Sequence, residues 1–575
     1  MTPDNLVAAA QAWIAGDPDP VTRSQLATLL EEADTEVLRD HLGASLSFGT
    51  AGLRGEVGPG PNRMNRVVVI RTSRGLADHL LATVPDAAER GVVVAFDARH
   101  DSERFALDAV ATFAAAGLRV HFFPTHQPTP MVPYAQKVLG AAAGVVVTAS
   151  HNPPADNGYK VFAEGAAQIV PPTDAAIAAA IGRVGPATEV ARIDLDGPDA
   201  SRSVTHLGHE VIERYLAELP AARPTVTGPE VRLAYTPLHG VGLPLVIRAL
   251  EDAGYPDVHV VADQAEPDGD FPTVAFPNPE EPGAMDGLLA LAAEVEADLA
   301  LANDPDADRI AAAVPDAAGT WRPLTGNQIG VLLADHLLAG REVDRPLVVS
   351  SIVSTPMLAG VAAAHGARAE VSLTGFKWIC AAARTLEAEE GYTFVYGFEE
   401  ALGSCVGEVV HDKDGISAAV VLADMARGCK ATGRTLLDRW DELCAQHGRW
   451  VSRQLSVVRP GASGAADIAA AMDRLSGWAP SQLAGQQVMS TTDFRTGAEL
   501  RPTWLAAQEL VLMELTDGRV MIRPSGTEPK CKIYVDLRSN EAAGSDPDDL
   551  DDLDAQLRDR AAAVAHALAE AVGLT

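Results

Sequence analysis

The chain has 575 residues, a net charge of −33 and 47% apolar residues, of which few are aromatic. That length exceeds a single core and implies about three or four domains. The acidic balance argues against nucleic acid and anionic membranes as partners, so an anionic substrate needs a locally basic pocket, charges being screened beyond about 8 Å at physiological salt.

In chain order, the first 45 or so residues read as polar helices packed on the outside. Gln11, Asp17 and Pro18 break their apolar stretch and no basic region precedes it, so a signal peptide is not expected. Gly91–Phe96 then reads as a strand, Phe105–Ala116 as a helix ending at Gly117, and Leu118–Phe123 as a second strand. The pattern returns twice. Val231–Tyr235, Leu243–Ala253, Gly254 and Val258–Val261 form the second copy; Pro346–Ser350, Met357–His365, Gly366 and Ala369–Leu373 form the third. Each glycine stands where a helix C-terminus needs one. Strand–helix–strand units of this length imply right-handed crossovers and a mainly parallel sheet.

Each copy reaches a further strand and then a polar loop. Ala142–Val147 leads to Thr148-Ala-Ser-His-Asn-Pro153, a turn that presents the Ser150 hydroxyl, although a capped turn would read the same way. Ala297–Ala302 leads to Asn303-Asp-Pro-Asp-Ala-Asp-Arg309. Tyr392–Tyr396 leads to Gly397-Phe-Glu-Glu-Ala-Leu-Gly403. Ligands of open α/β sheets gather beyond the carboxyl ends of strands, so equivalent loops are expected to line one cleft.

Asp304, Asp306 and Asp308 form an oxygen-only donor set suited to Mg²⁺ or Ca²⁺. An EF-hand counted from Asp304 would need Gly and Glu where Arg309 and Pro315 stand, so a hairpin loop is the better reading. A merely solvated turn remains an alternative. Glu399 and Glu400, between glycines, can accept hydrogen bonds from adjacent sugar hydroxyls or can be helix N-terminal acids. After about Trp450 the repeat stops. There the strand Val520–Ile522 leads to Arg523-Pro-Ser-Gly-Thr-Glu-Pro-Lys530, whose Ser525, Gly526 and Thr527 with Arg523 and Lys530 suit a phosphate cradle, or a plain turn. A helix is expected over Leu550–Val572. Five scattered cysteines without CxxC spacing suggest reduced thiols, a cytoplasmic location and no zinc site. No run approaches the ~18 apolar residues of a membrane span.

Together with Phe48–Gly55 and Asn157-Gly-Tyr-Lys160, these loops in this order resemble the α-D-phosphohexomutase superfamily, over nearly the whole chain. The resemblance implies an α/β protein: three related α/β domains with mixed, mainly parallel sheets, plus a C-terminal α+β domain like the TATA-binding protein. The expected boundaries are 1–205, 206–320, 321–450 and 451–575. It further implies an intramolecular phosphotransferase that interconverts hexose 1-phosphate and hexose 6-phosphate through phosphoserine at Ser150 and a hexose 1,6-bisphosphate. One Mg²⁺ would be held by Asp304, Asp306, Asp308 and the Ser150 phosphate. Glu399, Glu400 and Lys377 would bind the sugar; Arg523, Ser525, Gly526, Thr527 and Lys530 its existing phosphate. Lys160 and Arg54 are acid–base candidates, the lysine needing a lowered pKa; Arg309 supplies charge, and His151 orients Ser150. Closure of the last domain is expected to exclude water. Phosphoglucomutase and phosphomannomutase are the expected activities, phosphopentomutase the nearest alternative. A metal-dependent phosphatase and a non-enzymatic cation-binding protein are rivals from other classes. A small-molecule phosphosugar is the expected partner, and a monomer and a small homo-oligomer are equally compatible with the sequence.

Overall fold

A computed structural model describes residues 2–32, 34–49, 52–459, 464–478, 480–525, 530–539 and 547–574. Contacts divide the chain into two units, residues 1–324 with 403–431, and residues 325–402 with 432–575.

The first unit begins with helices Pro3–Gly16, Pro20–Glu32 and Thr35–Leu42, closed over a small apolar cluster of Leu6, Ala10, Leu26, Leu38 and Leu42. In the sheet that follows, Ala143–Val147, Val92–Phe96, Val120–Phe122 and Val204–His206 run parallel. Asp156–Ala163 turns back antiparallel beside Ala143–Val147 and pairs in turn with Leu53–Glu56. Both Val92–Phe96 and Ala143–Val147 are buried along their whole length, which explains their unbroken apolar runs. The second sheet has the order Trp321–Pro323, Ile310–Pro315, Leu299–Asn303, Leu233–Thr236, Val258–Val260. Its last three strands are parallel, and the first two are antiparallel additions.

Helix Gly415–Ala431 also belongs to the first unit. Its buried Asp424 pairs with Arg223 at 2.6 Å and accepts a hydrogen bond from Tyr255 Oη, also at 2.6 Å. Asp414, just before the helix, accepts from Tyr215 Oη at 2.8 Å.

In the second unit Pro346–Ser351, Arg368–Ser372 and Thr393–Glu399 run parallel. Beyond them lies an antiparallel sheet in the order Arg449–Val458, Lys530–Ser539, Gly518–Pro524, Val511–Leu515, Gln486–Asp493, Gln482–Leu483. Helices Gly464–Arg474 and Pro547–Ala571 cover one face through Ile468, Met472, Leu557, Val564 and Leu568. A second apolar cluster joins the two parts of this unit: Ile352, Val353 and Leu373 pack with Phe494, Leu510, Met521 and Tyr534. This cluster packs the last domain against the third, a contact that its separate composition did not reveal.

The alternating strands and helices stand close to where the sequence places them. Gly117, Gly254 and Gly366 all have positive φ (93°, 86° and 67°), as a helix C-terminus followed by a strand demands. One strand differs. Instead of stopping at Tyr396, it runs to Glu399, because Gly397 and Phe398 pair with Val349 and Ser350. Gly397 permits this by letting Ile379 approach to 2.7 Å of where a Cβ would stand.

Helix Gly326–Ala339 crosses this strand at Gly330, where an added Cβ would lie 2.2 Å from the Phe398 ring. Gly330→Ala is therefore expected to lower unfolding free energy by about 1–3 kcal/mol through overpacking. Urea denaturation checks this, and an unchanged midpoint and slope would contradict the contact.

Candidate active site

In the first unit, two of the polar loops meet. The chain leaves the buried strand Ala143–Val147, and Thr148 Oγ1 accepts a hydrogen bond from the Ser150 N–H at 2.9 Å. Ser150 itself adopts the left-handed conformation, φ 52°. Its hydroxyl is turned inward: it donates to Asp304 Oδ2 at 2.6 Å and lies 3.1 Å from His151 Nδ1. The residue is 2% exposed. This corrects the expectation of a hydroxyl presented on an open turn, because a carboxylate from 154 residues further on closes over it.

Arg99 holds this turn from behind. Its Nη1 donates to the carbonyls of Pro153 and Asp156 at 2.8 and 3.1 Å, and its Nη2 to those of Ser150 and Asn152, at 2.7 Å for Ser150. Asp97, also buried, lies 3.6 Å from Arg99 Nε and accepts from Ser102 Oγ and the Arg99 N–H.

Asp304, Asp306 and Asp308 lie on the turn between the antiparallel strands Leu299–Asn303 and Ile310–Pro315, the hairpin that the sequence suggests. All three are 0–1% exposed, and one oxygen of each lies within 4.8 Å of the others. The solvated-turn alternative is therefore excluded. Asp306 Oδ2 accepts from Thr129 Oγ1 and Lys160 Nζ, each at 2.6 Å. Asp308 Oδ2 lies 3.1 Å from both Lys160 Nζ and Lys413 Nζ. Asp306 Oδ1 and Asp308 Oδ1 are buried with no hydrogen-bond partner among the described residues. Buried, anionic, all-oxygen donors with unspent lone pairs fit a hard divalent cation.

The flanking charges follow from this cluster. Burial and Asp306 push the Asp308 carboxyl up, but Lys160, Lys413 and Arg309 outweigh them and hold it below the ordinary range. Burial likewise opposes a charged Lys160, yet Asp306 and Asp308 prevail and raise its pKa. That shift is opposite in sign to the one expected of an acid–base lysine. Burial, with Arg309 and Arg54 nearby, keeps the His151 pKa well below that of a free histidine. Arg54 Nη1 donates to Asn152 Oδ1 at 2.8 Å, and Arg309 lies 3.8 Å from Asp308 and 3.9 Å from Glu280.

In the second unit, Glu399 ends a strand and Glu400 opens the turn after it, so they are not helix N-terminal acids. Glu399 Oε1 accepts from the Gly375 N–H at 2.7 Å. Glu400 Oε2 accepts from Ser351 Oγ and Ser354 Oγ at 3.1 and 3.2 Å. Lys377, in the first turn of helix Phe376–Glu390, has its ammonium 5.5 Å from the Trp378 ring. Arg523 stands near the end of strand Gly518–Pro524, opposite Lys532, and the Ser525 N–H donates to the Lys530 carbonyl at 2.7 Å. Gly526 and Thr527 lie outside the described residues. Buried Tyr534 is close enough to Glu400, Arg523 and Glu399 for all three to act on its hydroxyl, whose pKa burial raises first and most.

Several of these groups escape sequence reasoning. Arg99 follows the strand Val92–Phe96 in a polar loop, and that position was its one signal. Lys413 lies in Asp412-Lys-Asp-Gly415, which reads as surface charge. Thr129, Ser351, Ser354 and Tyr534 carry no local signature.

The chain matches the Phosphoglucomutase/phosphomannomutase models for alpha/beta/alpha domain I over residues 45–186, domain II over 213–319 and domain III over 325–447, and for the C-terminal domain over 493–553. It belongs to the α-D-phosphohexomutase superfamily. Among its relatives, a probable phosphomannomutase of Haemophilus influenzae is 39% identical over 85% of this chain and 95% of its own length. The phosphopentomutase of Homo sapiens is 34% identical over 94% and 92%. A phosphoglucomutase of Staphylococcus epidermidis is 32% identical over 91% and 96%. A crystal structure of a putative phosphomannomutase from Thermus thermophilus, 23% identical, shares the fold with a TM-score of 0.64 over 89% of this chain and 99% of that one. The protein is thus a phosphomutase, an isomerase, which sets aside the phosphatase and the non-enzymatic cation-binding readings. Among the described residues no helix is long and apolar enough to cross a membrane.

Replacing Arg99 by Met leaves four backbone carbonyls without their donor and Asp97 buried without its cation. The expected loss is about 3–5 kcal/mol of stability, read from chemical denaturation. A loss below about 1 kcal/mol would contradict the clamp.

Proposed function

We propose that this phosphomutase works through phosphoserine at position 150 and interconverts the 1-phosphate and the terminal phosphate of a sugar. The observation that carries the reading is the buried Ser150 hydroxyl hydrogen-bonded to Asp304 within the aspartate cluster. A phosphoryl group on Ser150 Oγ passes to a hydroxyl of the bound sugar monophosphate: the Oγ–P bond breaks, an O–P bond to the sugar forms, and the sugar's hydroxyl proton ends, net, on Ser150 Oγ, which becomes a hydroxyl again. The resulting bisphosphate returns its other phosphoryl group to Ser150 after reorienting, so no phosphate is lost.

Asp304, Asp306 and Asp308 would hold Mg²⁺, which supplies Lewis-acid neutralisation of the charge on the group in transit. Lys160, Lys413 and Arg309 add fixed positive charge around the same carboxylates. His151, 3.1 Å from Ser150 Oγ and with its pKa lowered by burial, orients that oxygen. Arg54 fixes the serine turn through Asn152. Glu399 and Glu400 accept sugar hydroxyls with Lys377 beside them. Arg523, Ser525, Gly526, Thr527 and Lys530 take the phosphate that is not in transit. The domain limits 1–205, 206–320, 321–450 and 451–575 are kept as the functional division, with helix Gly415–Ala431 a structural part of the first unit.

A hexose, glucose or mannose, is the primary substrate reading. A pentose is the second, favoured by relatives named phosphoribomutase and phosphopentomutase that align over 93–94% of this chain. The ratio of kcat/KM for glucose, mannose and ribose 1-phosphates decides between them.

Ser150→Ala is expected to lower turnover at least about a thousand-fold while circular dichroism stays unchanged; near-normal mutase rates would end the phosphoserine reading. Arg523→Ala is expected to raise KM for the sugar phosphate more than it lowers kcat, and steady-state kinetics with an unchanged KM would remove it from the cradle.

A further inference from the structure

The carboxylate of Glu400 is set by a turn that is itself locked into a closed ring of hydrogen bonds. Strand Pro346–Ser351 ends in this turn, where the Ser354 N–H donates to the Ser351 carbonyl at 3.0 Å. Both hydroxyls reach Glu400 Oε2, and they lie 2.8 Å from each other. Ser354 Oγ also accepts the Glu400 backbone N–H at 3.0 Å. Ser354 therefore grips Glu400 at two points, main chain and side chain. Both serines are 1% exposed, so water does not compete for them.

The ring begins at the next atom along. The Ser354 carbonyl accepts from Arg519 Nη2. Arg519 Nε donates to Asp536 Oδ2 at 2.8 Å, and Asp536 Oδ1 accepts from Ser452 Oγ at 2.6 Å. Ser452 Oγ accepts from Asn327 Nδ2 at 2.8 Å, and Asn327 Oδ1 accepts from the Thr355 N–H at 2.8 Å. Thr355 follows Ser354, so the circuit closes. Three adjacent strands of the C-terminal sheet (Arg449–Val458, Lys530–Ser539, Gly518–Pro524) and the start of helix Gly326–Ala339 thus fix one dipeptide. Arg519 and Asp536 are buried and paired, which makes the circuit costly to distort.

We infer that Ser354 is a positioning residue for sugar recognition: it orients the Glu400 carboxylate, and the Arg519–Asp536–Ser452–Asn327 ring holds Ser354 in the place that lets it do so. Arg523 shares its strand with Arg519, so the sheet that bears the phosphate cradle also sets the aim of the sugar acceptor. This rests on the reading of Glu400 as that acceptor.

A double-mutant cycle on the full-length enzyme with glucose 1-phosphate tests it, using Ser354→Ala, Glu400→Gln and the pair. Ser354→Ala is expected to raise KM about three- to ten-fold, the worth of about one hydrogen bond, with kcat within about two-fold. In the Glu400→Gln background the same change is expected to have no further effect. An equal KM rise in both backgrounds means that Ser354 acts independently of Glu400 and overturns the inference, as does an unchanged KM in Ser354→Ala. An unchanged KM in Glu400→Gln overturns the sugar-binding reading itself, and the inference with it. If Ser354→Ala does not fold, Ser351→Ala, which removes the hydroxyl contacts to the same carboxylate oxygen and to Ser354 Oγ, enters the cycle with the same expected and contrary outcomes.

Discussion

Three carboxylates buried within 4.8 Å of one another are the constraint around which the first unit is organised. At an effective dielectric of about 20, two like charges about 5 Å apart repel by about 3 kcal/mol, before the cost of burial. Such a cluster persists only if positive charge is built around it. Lys160 comes from the strand Asp156–Ala163, Lys413 from the loop before helix Gly415–Ala431, and Arg309 from the hairpin itself. Ser150 and Thr129 add hydroxyl donors. The cations balance the cluster in number, yet oxygens of Asp306 and Asp308 remain without hydrogen bonds among the described residues. Buried oxygens with lone pairs so left are the donor type that suits a hard divalent cation.

The same constraint explains the serine turn. A left-handed serine costs of the order of 1–3 kcal/mol and persists only where its surroundings impose it. Arg99 imposes it by taking the carbonyls of Ser150, Asn152, Pro153 and Asp156 with one planar guanidinium, while Asp97 and Ser102 anchor the arginine loop. The strain and the burial serve one end, which is an oxygen held 2.6 Å from Asp304. The second unit repeats the logic at the proposed sugar acceptor: Glu400 is held by serines on a turn, and the turn by a buried ion pair.

Much of this was legible in the sequence because it is local. Buried parallel strands write unbroken apolar runs, helix ends write glycines at positive φ, and the loops beyond them write Ser150, the three aspartates and the Glu399–Glu400 pair. The ordered set of loops carried the family resemblance, which the domain matches bear out. What was illegible depends on approach across long separations. Lys413 meets Asp308 from 105 residues away, and Arg519 meets Ser354 from 165, with nothing in either neighbourhood to announce it. The sign of the Lys160 shift was hidden for the same reason, since it is the outcome of burial against two carboxylates, visible only once all three are placed. The third strand ran on to Glu399 because its partner strand offered backbone groups to Gly397 and Phe398, and a single-strand reading has no partner to consult.

The central claim is that the buried oxygen of Ser150 carries the phosphoryl group. Its most direct test is to incubate the enzyme and Mg²⁺ with glucose 1,6-bisphosphate bearing ¹⁸O-labelled phosphates and to map the label on proteolytic peptides by mass spectrometry. The account predicts label at Ser150, lost when the divalent cation is chelated. Label at another residue, or mutase turnover of the bisphosphate pool with an unlabelled Ser150 peptide, would contradict it.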